Sequence, residues 1–163
     1  MKYKLNFSAE NNTVIIPSKR EGDAAYDIYA NFEQDNLVIM PHETKLIPTG
    51  LRSSFSKDLV VILKERGSTG SKGMGVRMGV IDSNFRGVWQ VGITNHNEKP
   101  IVITKEEKTE ALEDDYIVYP YKKAICQAVV LQLPEVEVSA VPVEVIKNDT
   151  TERGEGMLGS SNK

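Results

Sequence analysis

Cysteine is nearly absent from this chain, and long apolar runs are missing altogether. The single cysteine, Cys126, cannot form a disulfide within the chain, which favours a reducing compartment. A membrane-spanning helix needs roughly 20 apolar residues in a row, and no segment approaches that length. Residues 1–7 alternate charged and apolar side chains instead of forming the apolar part of a signal peptide. We therefore expect a soluble, cytoplasmic protein that makes no membrane contact.

The chain also lacks the positive charge that binding to nucleic acid requires. Its 20 Lys and Arg residues are outnumbered by 23 Asp and Glu, which gives a net charge of −3 at pH 7. Affinity for duplex nucleic acid comes from a basic surface that releases counterions, so no nucleic-acid partner is expected. A few arginines could still bind a small polyanion. His42 and His96 stand too isolated in the sequence to predict a metal site or a catalytic triad.

Helix-forming stretches are scarce, whereas short segments rich in valine, isoleucine and aromatic residues recur between glycine, proline and asparagine. This spacing is typical of a barrel or sandwich of short strands. The predicted strands are residues 3–7, 13–16, 37–40, 44–48, 59–63, 88–93, 101–104, 116–119, 125–131 and 136–143. Helix is predicted only for a turn at 71–74 and within the charged stretch 104–115. With 163 residues, of which 40% are hydrophobic, the chain fits a single all-β domain.

Two segments stand apart from the strand-like pattern. Residues 99–121 hold mixed charges in a long connection, and residues 148–163 are polar and contain glycine. A terminal segment of this kind is mobile unless a ligand or a neighbouring subunit orders it. We therefore predict a barrel domain over residues 1–147 with a charged insertion at about 99–121, followed by a flexible C-terminal arm over residues 148–163.

The densest chemical signal lies between Arg66 and Gly73. Its glycines allow the backbone to direct successive N–H groups at an anion, and Arg66, Ser68 and Thr69 add side-chain donors. The pattern matches a phosphate cradle in outline, although a surface loop that only turns the chain explains the composition equally well. A Walker-type loop is excluded because serine, not glycine, precedes Lys72.

A second signal is the segment from Gly79 to Gly87, which we interpret as a tight hairpin with Asp82 near its tip. A carboxylate at that position could orient and deprotonate a water, and Phe85 could offer its face to a ring. The structural alternative is a hairpin in which Asp82 serves the turn and Phe85 enters the core.

Three further polar residues stand out from their surroundings. Asp27 lies within the strand-like stretch 24–30, where aspartate needs a partner such as an arginine, backbone donors or a hydrated cation. Gln127 lies inside an apolar run, either as a ligand-binding amide or as a core amide with its own partners. Near the C terminus, Arg153 is followed by glycines and paired hydroxyls, which suits either a flexible anion clamp or simple disorder.

In chain order these five segments resemble the five motifs of the trimeric dUTPase family. The resemblance runs from about Asp23 to Ser161, and the third motif, from Gly79 to Gly87, is the most specific. It implies a distorted jelly-roll β-barrel and Mg²⁺-dependent hydrolysis of dUTP to dUMP and pyrophosphate, which limits uracil incorporation into DNA. It also implies a homotrimer with active sites between subunits, in which the C-terminal arm of one chain closes over a site formed by the others.

The resemblance also implies a role for individual residues. Asp82 would position and activate the attacking water, and Phe85 would stack on the deoxyribose. Asp27 would reach Mg²⁺ through water, while the metal bridges the phosphates. The remaining substrate-binding positions, which read the base, hold the phosphates or cover the ring, are Gly79, Val80, Ile81, Arg66, Gly67, Ser68, Gln127, Arg153, Leu158, Gly159, Ser160 and Ser161.

Several positions depart from the family pattern. Gly67 stands where serine is usual, and Leu158 replaces an aromatic residue that stacks on the base. Lys122, Lys123 and Ala124 replace the glycine, acidic residue and arginine that usually open the fourth motif. Gly67 and Leu158 leave open an alternative, a non-catalytic or weakly active homologue that acts as a nucleotide-sensing regulatory protein. The related dCTP deaminases require a glutamate soon after the third motif, and residues 88–91 contain no acidic side chain.

The connection over residues 95–127 is longer than the family norm and is unusually charged over residues 105–115. This charged part is either a decorated surface loop, in which case its deletion should spare hydrolysis, or a docking site for a protein partner. Insertions of this kind occur in phage-type members, so a phage or prophage origin is a further hypothesis.

Overall fold

The structure is a computed structural model that describes residues 3–107 and 109–156. Within these residues strands dominate, and the helices are short segments of four to six residues. The strands are β1 (Leu5–Ala9), β2 (Ala25–Ile28), β3 (Asn36–Ile39), β4 (Thr44–Pro48), β5 (Leu51–Phe55), β6 (Leu59–Lys64), β7 (Met74–Arg77), β8 (Val80–Ile81), β9 (Gln90–Asn95), β10 (Ile101–Thr104), β11 (Ile117–Pro120) and β12 (Cys126–Gln132). The helices are α1 (Gly67–Gly70), α2 (Glu110–Asp115) and α3 (Val143–Lys147).

Four small sheets carry the strands, in the orders β1–β5, β11–β10–β3, β2–β12–β6–β8 and β4–β9–β7. In the described chain, the only sheet neighbours that also follow one another in sequence are β10 and β11. All the remaining strand-to-strand connections pass from one sheet to another. Connections of this kind arrange short strands into a jelly-roll barrel, and the all-β fold with little helix expected from the sequence is confirmed.

Apolar side chains from all four sheets fill the interior. The fully buried residues include Ile28, Ile39, Ile47, Leu51, Leu63, Met74, Trp89, Ile93, Ile103 and Ile125. Trp89 is the largest of them; its indole N–H donates to Ser53 Oγ at 3.1 Å, and Phe7 packs edge-on against its ring. Because full burial of a large apolar side chain contributes about 1.5–3 kcal/mol, this interior is the main source of the barrel's stability.

The sheet of β2, β12, β6 and β8 brings distant parts of the sequence together. In its antiparallel register Asp27 lies opposite Gln127, and Gln127 lies opposite Lys64. Residues directly opposite one another project from the same face of a sheet. From β6 the chain continues through Glu65 and Arg66 into α1, so the first, second and fourth motifs meet at this end of the sheet.

Much of the insertion predicted at about 99–121 belongs to the barrel. β10 and β11 pair in parallel, and β10 also pairs with β3. Residues 105–107 and 109–116 lie outside the sheet and include α2. Parallel strands cannot be joined by a tight turn. Deleting residues 105–115 would remove the connection that this pairing requires, so activity lost in such a deletion would reflect the role of the segment in the fold.

Two predicted strands do not form in the described chain. At residues 13–16, Asn11 Oδ1 accepts from the backbone N–H of Thr13 at 3.0 Å and from its hydroxyl at 2.6 Å. A local side-chain turn of this kind competes with strand pairing. At residues 136–143 the sequence suits a strand, but the segment is exposed and has no neighbouring strand.

The helical turn near the phosphate-cradle segment also lies earlier than predicted, at Gly67–Gly70 instead of 71–74. The cause is Thr69, whose Oγ1 accepts from the backbone N–H of Arg66 at 2.9 Å. A hydroxyl that satisfies the backbone N–H at the start of a helix stabilises that start, and the turn therefore begins directly after Arg66.

Beyond β12, residues 133–155 are exposed throughout. Val136, Val138 and Ile146 have 68%, 89% and 63% of their surface exposed. The backbone N–H of Leu133 donates to the Asp58 carbonyl at 2.7 Å, and no other backbone hydrogen bond joins this part of the described chain to the barrel. The exposed segment thus begins before the predicted boundary at residue 148. Among the described residues, no helix is both long and apolar enough to cross a membrane.

Candidate active site

A cleft of about 900 Å³ opens beside β2, α1 and the turn between β11 and β12. We call it the basic cleft, because five Lys and Arg side chains face only two Asp side chains on its walls. It contains the predicted positions of the first, second and fourth motifs, which the fold brings together. Its lining residues are Ser18, Lys19, Arg20, Asp23, Ala24, Ala25, Asp27, Tyr29, Arg66, Gly67, Ser68, Lys122, Lys123, Ala124 and Gln127.

Asp27 and Arg66 form an ion pair inside the basic cleft. Arg66 Nε lies 2.8 Å from Asp27 Oδ1, and Arg66 Nη2 donates to Asp27 Oδ2 at 3.2 Å. Arg66 Nη1 also donates to Ser68 Oγ at 3.2 Å. This two-point geometry orients both groups, and about a third of each side chain remains exposed. Of the partners considered for an aspartate within a strand, the arginine is the one present.

Gln127 fixes the backbone that leads into Arg66. Its Nε2 donates to the Glu65 carbonyl at 2.7 Å. The Glu65 carboxylate in turn accepts the backbone N–H of Val76 at 2.7 Å and lies 3.5 Å from Lys64 Nζ. Burial disfavours ionisation of Glu65, but the N–H groups of Glu65 and Val76, together with Lys64, hold its pKa below the usual range. Gln127 is thus a bonded structural amide that also lines the cleft.

Gly67 is the first residue of α1, and its α-carbon faces open space. A Cβ placed there would meet no atom within 4 Å. A serine side chain therefore has room at this position, so the glycine is not a steric requirement of the fold.

Two buried residues beneath the basic cleft were missed by sequence reasoning. Tyr119 is 1% exposed, and its hydroxyl donates to the Ala124 carbonyl at 2.6 Å. Burial raises the pKa of Tyr119, whereas the neighbouring Ser68 and Arg66 side chains oppose that rise. Burial also raises the pKa of the Cys126 thiol, which keeps it protonated and unreactive. Both residues lie in apolar strand segments, where the sequence alone gives no sign of a neighbouring site.

A second, smaller cleft of about 370 Å³ lies along β8 and the turn that follows it. Most of its side chains are apolar, and we call it the apolar cleft. Its lining residues are Met78, Gly79, Val80, Ile81, Asp82, Phe85, Val88 and Gln90. The third-motif positions named from the sequence therefore lie together.

The backbone of the apolar cleft is held closely against β6. The Leu63 N–H donates to the Gly79 carbonyl at 2.6 Å, and Val80 and Ile81 pair with β6. A Cβ on Gly79 would lie 2.7 Å from the Leu63 carbonyl oxygen, so only glycine fits there. Because β8 pairs with β6, whereas β9 pairs with β4 and β7, the segment passes between two sheets and is not the two-stranded hairpin predicted.

Asp82 and Phe85 stand at the turn after β8. The Phe85 N–H donates to the Asp82 carbonyl at 3.1 Å, and the Asp82 side chain is exposed. The Phe85 ring is 42% exposed and lies against Gly87, where an added Cβ would be 2.4 Å from Phe85 Cζ. Phe85 is thus presented at the surface, in contrast to the alternative that it enters the core.

No residue lines both clefts. Arg153 belongs to neither, and its Nε donates to the Gly156 carbonyl at 3.1 Å within the C-terminal segment. The predicted positions Leu158, Gly159, Ser160 and Ser161 lie outside the described residues. The described part of one chain therefore presents two separate surfaces and does not join them into one site.

Within the described chain, no group of three or more His, Cys, Asp and Glu residues could hold a metal ion. The protein alone does not build a complete metal cage in these residues. Magnesium, however, keeps several waters and is commonly held by one or two carboxylates together with substrate phosphates. Asp27 lines the basic cleft, and its single carboxylate fits a metal that is held mainly by a bound polyphosphate.

The fold and the two clefts define a small β-barrel protein with one basic cleft and one mostly apolar cleft. The dUTPase family model matches residues 11–109. A deoxyuridine 5′-triphosphate nucleotidohydrolase of Nautilia profundicola is 30% identical over 98% of this chain and 99% of its own length. The chain belongs to the dUTPase family, which confirms the family resemblance.

Other relatives differ in how much of their length is matched. The corresponding Gloeobacter violaceus enzyme is 29% identical over 86% of this chain and 83% of its own length. The Pol polyprotein of an ovine maedi visna related virus is 33% identical over 63% of this chain, which spans only 9% of that polyprotein.

Solved structures support the fold. The dUTPase of Staphylococcus bacteriophage 80alpha with dUpNHpp has a TM-score of 0.74 at 20% identity, covering 98% of this chain and 99% of that one. The dUTPase of phage phi11 of S. aureus has a TM-score of 0.67 at 18% identity, covering 85% and 96% of the two chains. At these identities the likeness is one of fold.

Proposed function

We propose that the protein hydrolyses dUTP to dUMP and pyrophosphate and so limits uracil incorporation into DNA. The observation that carries the proposal is the division of the predicted site residues between a basic cleft and an apolar cleft, which match the two ends of a nucleoside triphosphate. Membership of the dUTPase family and the nucleotidohydrolase relatives support the same activity.

The apolar cleft would take the deoxyuridine. The backbone of Gly79, Val80 and Ile81 would hydrogen-bond the uracil edge, and the exposed Phe85 ring would stack on the deoxyribose. Support comes from the exposure of Phe85 and from the close backbone approach at Gly79.

Asp82 would act as the general base. Its carboxylate would accept a proton from a water whose oxygen bonds to the α-phosphorus, while the bond from phosphorus to the bridging oxygen breaks and pyrophosphate leaves. The exposed position of the Asp82 side chain on the wall of the apolar cleft supports this role.

Arg66, Gly67, Ser68 and Gln127 would surround the phosphates, since all four line the basic cleft. From the C-terminal arm over residues 148–163, Arg153, Gly159, Ser160 and Ser161 would add phosphate contacts, and Leu158 would cover the base. Asp27 would hold Mg²⁺ through water. When bound, that ion supplies positive charge for the phosphates during displacement.

The site would be completed by assembly into a homotrimer. The two clefts share no lining residue among the described residues, and apolar side chains of the segment after β12 are exposed. Joining the basic cleft of one subunit to the apolar cleft of another would complete a site for the whole nucleotide. The arm of a third subunit would then close over it.

The test is a pyrophosphate-release assay with dUTP, dCTP, dTTP and UTP in the presence of Mg²⁺. We expect release from dUTP only. Positioned general bases contribute about 10²–10⁴-fold to the rate. We therefore expect Asp82→Asn, which removes the general base, to lower kcat on that scale while the protein keeps its thermal stability. If the wild-type protein does not turn over dUTP, the proposal is wrong and a non-catalytic nucleotide-sensing homologue is favoured. If Asp82→Asn turns over dUTP as fast as the wild type, Asp82 is not the general base.

A further inference from the structure

The charges of the basic cleft are unevenly paired. Its walls carry five basic and two acidic side chains, although the chain as a whole has a net charge of −3. Arg66 is neutralised locally by its ion pair with Asp27. The surplus of positive charge therefore comes from other residues, none of which was singled out as a ligand of phosphate from the sequence.

Lys122 and Lys123 carry much of this surplus. Both are exposed, both line the cleft, and neither side chain forms a hydrogen bond or an ion pair within the described chain. An ammonium group without a partner on a cleft wall loses little when it binds an anion, because no existing contact must first be broken. Arg66, in contrast, must share its donors with Asp27 and Ser68.

The backbone that carries the two lysines is well fixed. The Lys123 N–H donates to the Pro120 carbonyl at 3.0 Å, and the Tyr121 N–H donates to the Thr104 carbonyl at 2.7 Å. On the far side of the turn, the buried Tyr119 hydroxyl donates to the Ala124 carbonyl. The turn is thus attached to strands β10 and β11, and only the lysine side chains need to move toward an anion.

We infer that Lys122 and Lys123 are phosphate-binding residues for the part of the triphosphate that leaves as pyrophosphate. This inference rests on the proposed hydrolysis of dUTP. Lysine is a compact charge that binds phosphate oxygens without a fixed angle. Two such groups discriminate by charge, so they favour the highly charged pyrophosphate end over the single phosphate of dUMP.

The test compares Lys122→Gln/Lys123→Gln with a matched control, Lys4→Gln/Lys57→Gln, whose lysines are also exposed but line neither cleft. All proteins are full-length and in their native assembly. Loss of two exposed charge contacts should raise KM for dUTP and the inhibition constant of inorganic pyrophosphate about tenfold each. Inhibition by dUMP and the melting temperature should stay unchanged, and the control should resemble the wild type.

Two further measurements make the outcome decisive. Lys122→Arg/Lys123→Arg should restore pyrophosphate inhibition to the wild-type level. The difference in pyrophosphate inhibition constant between the wild type and Lys122→Gln/Lys123→Gln should decrease with added salt, because salt screens exposed charges. Unchanged pyrophosphate inhibition, or an equal loss for dUMP, would overturn the inference. Calorimetric binding of inorganic pyrophosphate needs no turnover, so it would still decide the role of the lysines if dUTP hydrolysis itself failed.

Discussion

The two clefts differ in which parts of the chain form their surfaces. The basic cleft presents charged side chains such as Arg66, Lys122 and Lys123 on exposed or half-exposed positions. The apolar cleft depends on the backbone of β8, held against β6, and on Gly79, where no side chain fits. In a surface formed by charged side chains, one basic residue can be replaced by another without loss of charge. A backbone surface has no such freedom, because its shape is set by hydrogen bonds and steric contact.

The largest effect in this comparison is expected for Gly79→Ala. Its Cβ would lie 2.7 Å from the Leu63 carbonyl oxygen, so β8 would have to move away from β6. Overpacking of this kind costs about 1–3 kcal/mol in the free energy of unfolding. Thermal unfolding should show the loss, and KM for dUTP should rise because the displaced backbone no longer matches the base.

Gly70→Ala is the control for that experiment. A Cβ on Gly70 would lie 3.6 Å from Glu65 Cβ, an ordinary contact, so this variant should lose no thermal stability and should keep its KM. Equal behaviour of the two alanine variants would show that the shape of the apolar cleft does not depend on the absence of a side chain at Gly79.

A smaller effect is expected for Asp27→Asn in the basic cleft. Partly exposed ion pairs contribute about 0.2–1 kcal/mol, so stability should fall only slightly when Arg66 loses its charged partner. If Asp27 also holds Mg²⁺ through water, the Mg²⁺ concentration for half-maximal activity should increase. Asp23→Asn is the matched control, since Asp23 lines the same cleft without contacting Arg66. An unchanged Mg²⁺ requirement in Asp27→Asn would limit its role to orienting the arginine.

Sequence reasoning succeeded where one residue conflicts with its surroundings. Asp27 within a strand demanded a partner, and the structure supplies Arg66. It also identified the strands at 44–48 and 101–104 with their observed bounds, because short segments with apolar residues between turn residues favour strands.

The features that the sequence did not predict depend on contacts between segments that are distant along the chain. Residues 136–143 have the composition of a strand but no partner to pair with, since pairing depends on the whole sheet. Lys122 and Lys123 look like ordinary surface lysines until the fold brings their turn beside Asp27 and Arg66. The two residues of β8 are too few to give a periodic pattern, and only their pairing with β6 identifies them as a strand.

The smallest effect is expected for Gly67→Ser. This variant tests most directly whether the basic cleft tolerates a change of side chain. A Cβ at Gly67 would meet no atom within 4 Å. Replacing a glycine within a helix by another residue stabilises the helix by up to about 1 kcal/mol. We expect slightly higher stability and, if the new hydroxyl reaches a phosphate, a lower KM for dUTP. Gly67→Ala raises helix propensity at least as much as serine does but adds no hydroxyl, so the difference in KM between the two variants isolates the hydroxyl. Identical KM values would mean that this cleft binds phosphate through charge alone at that position.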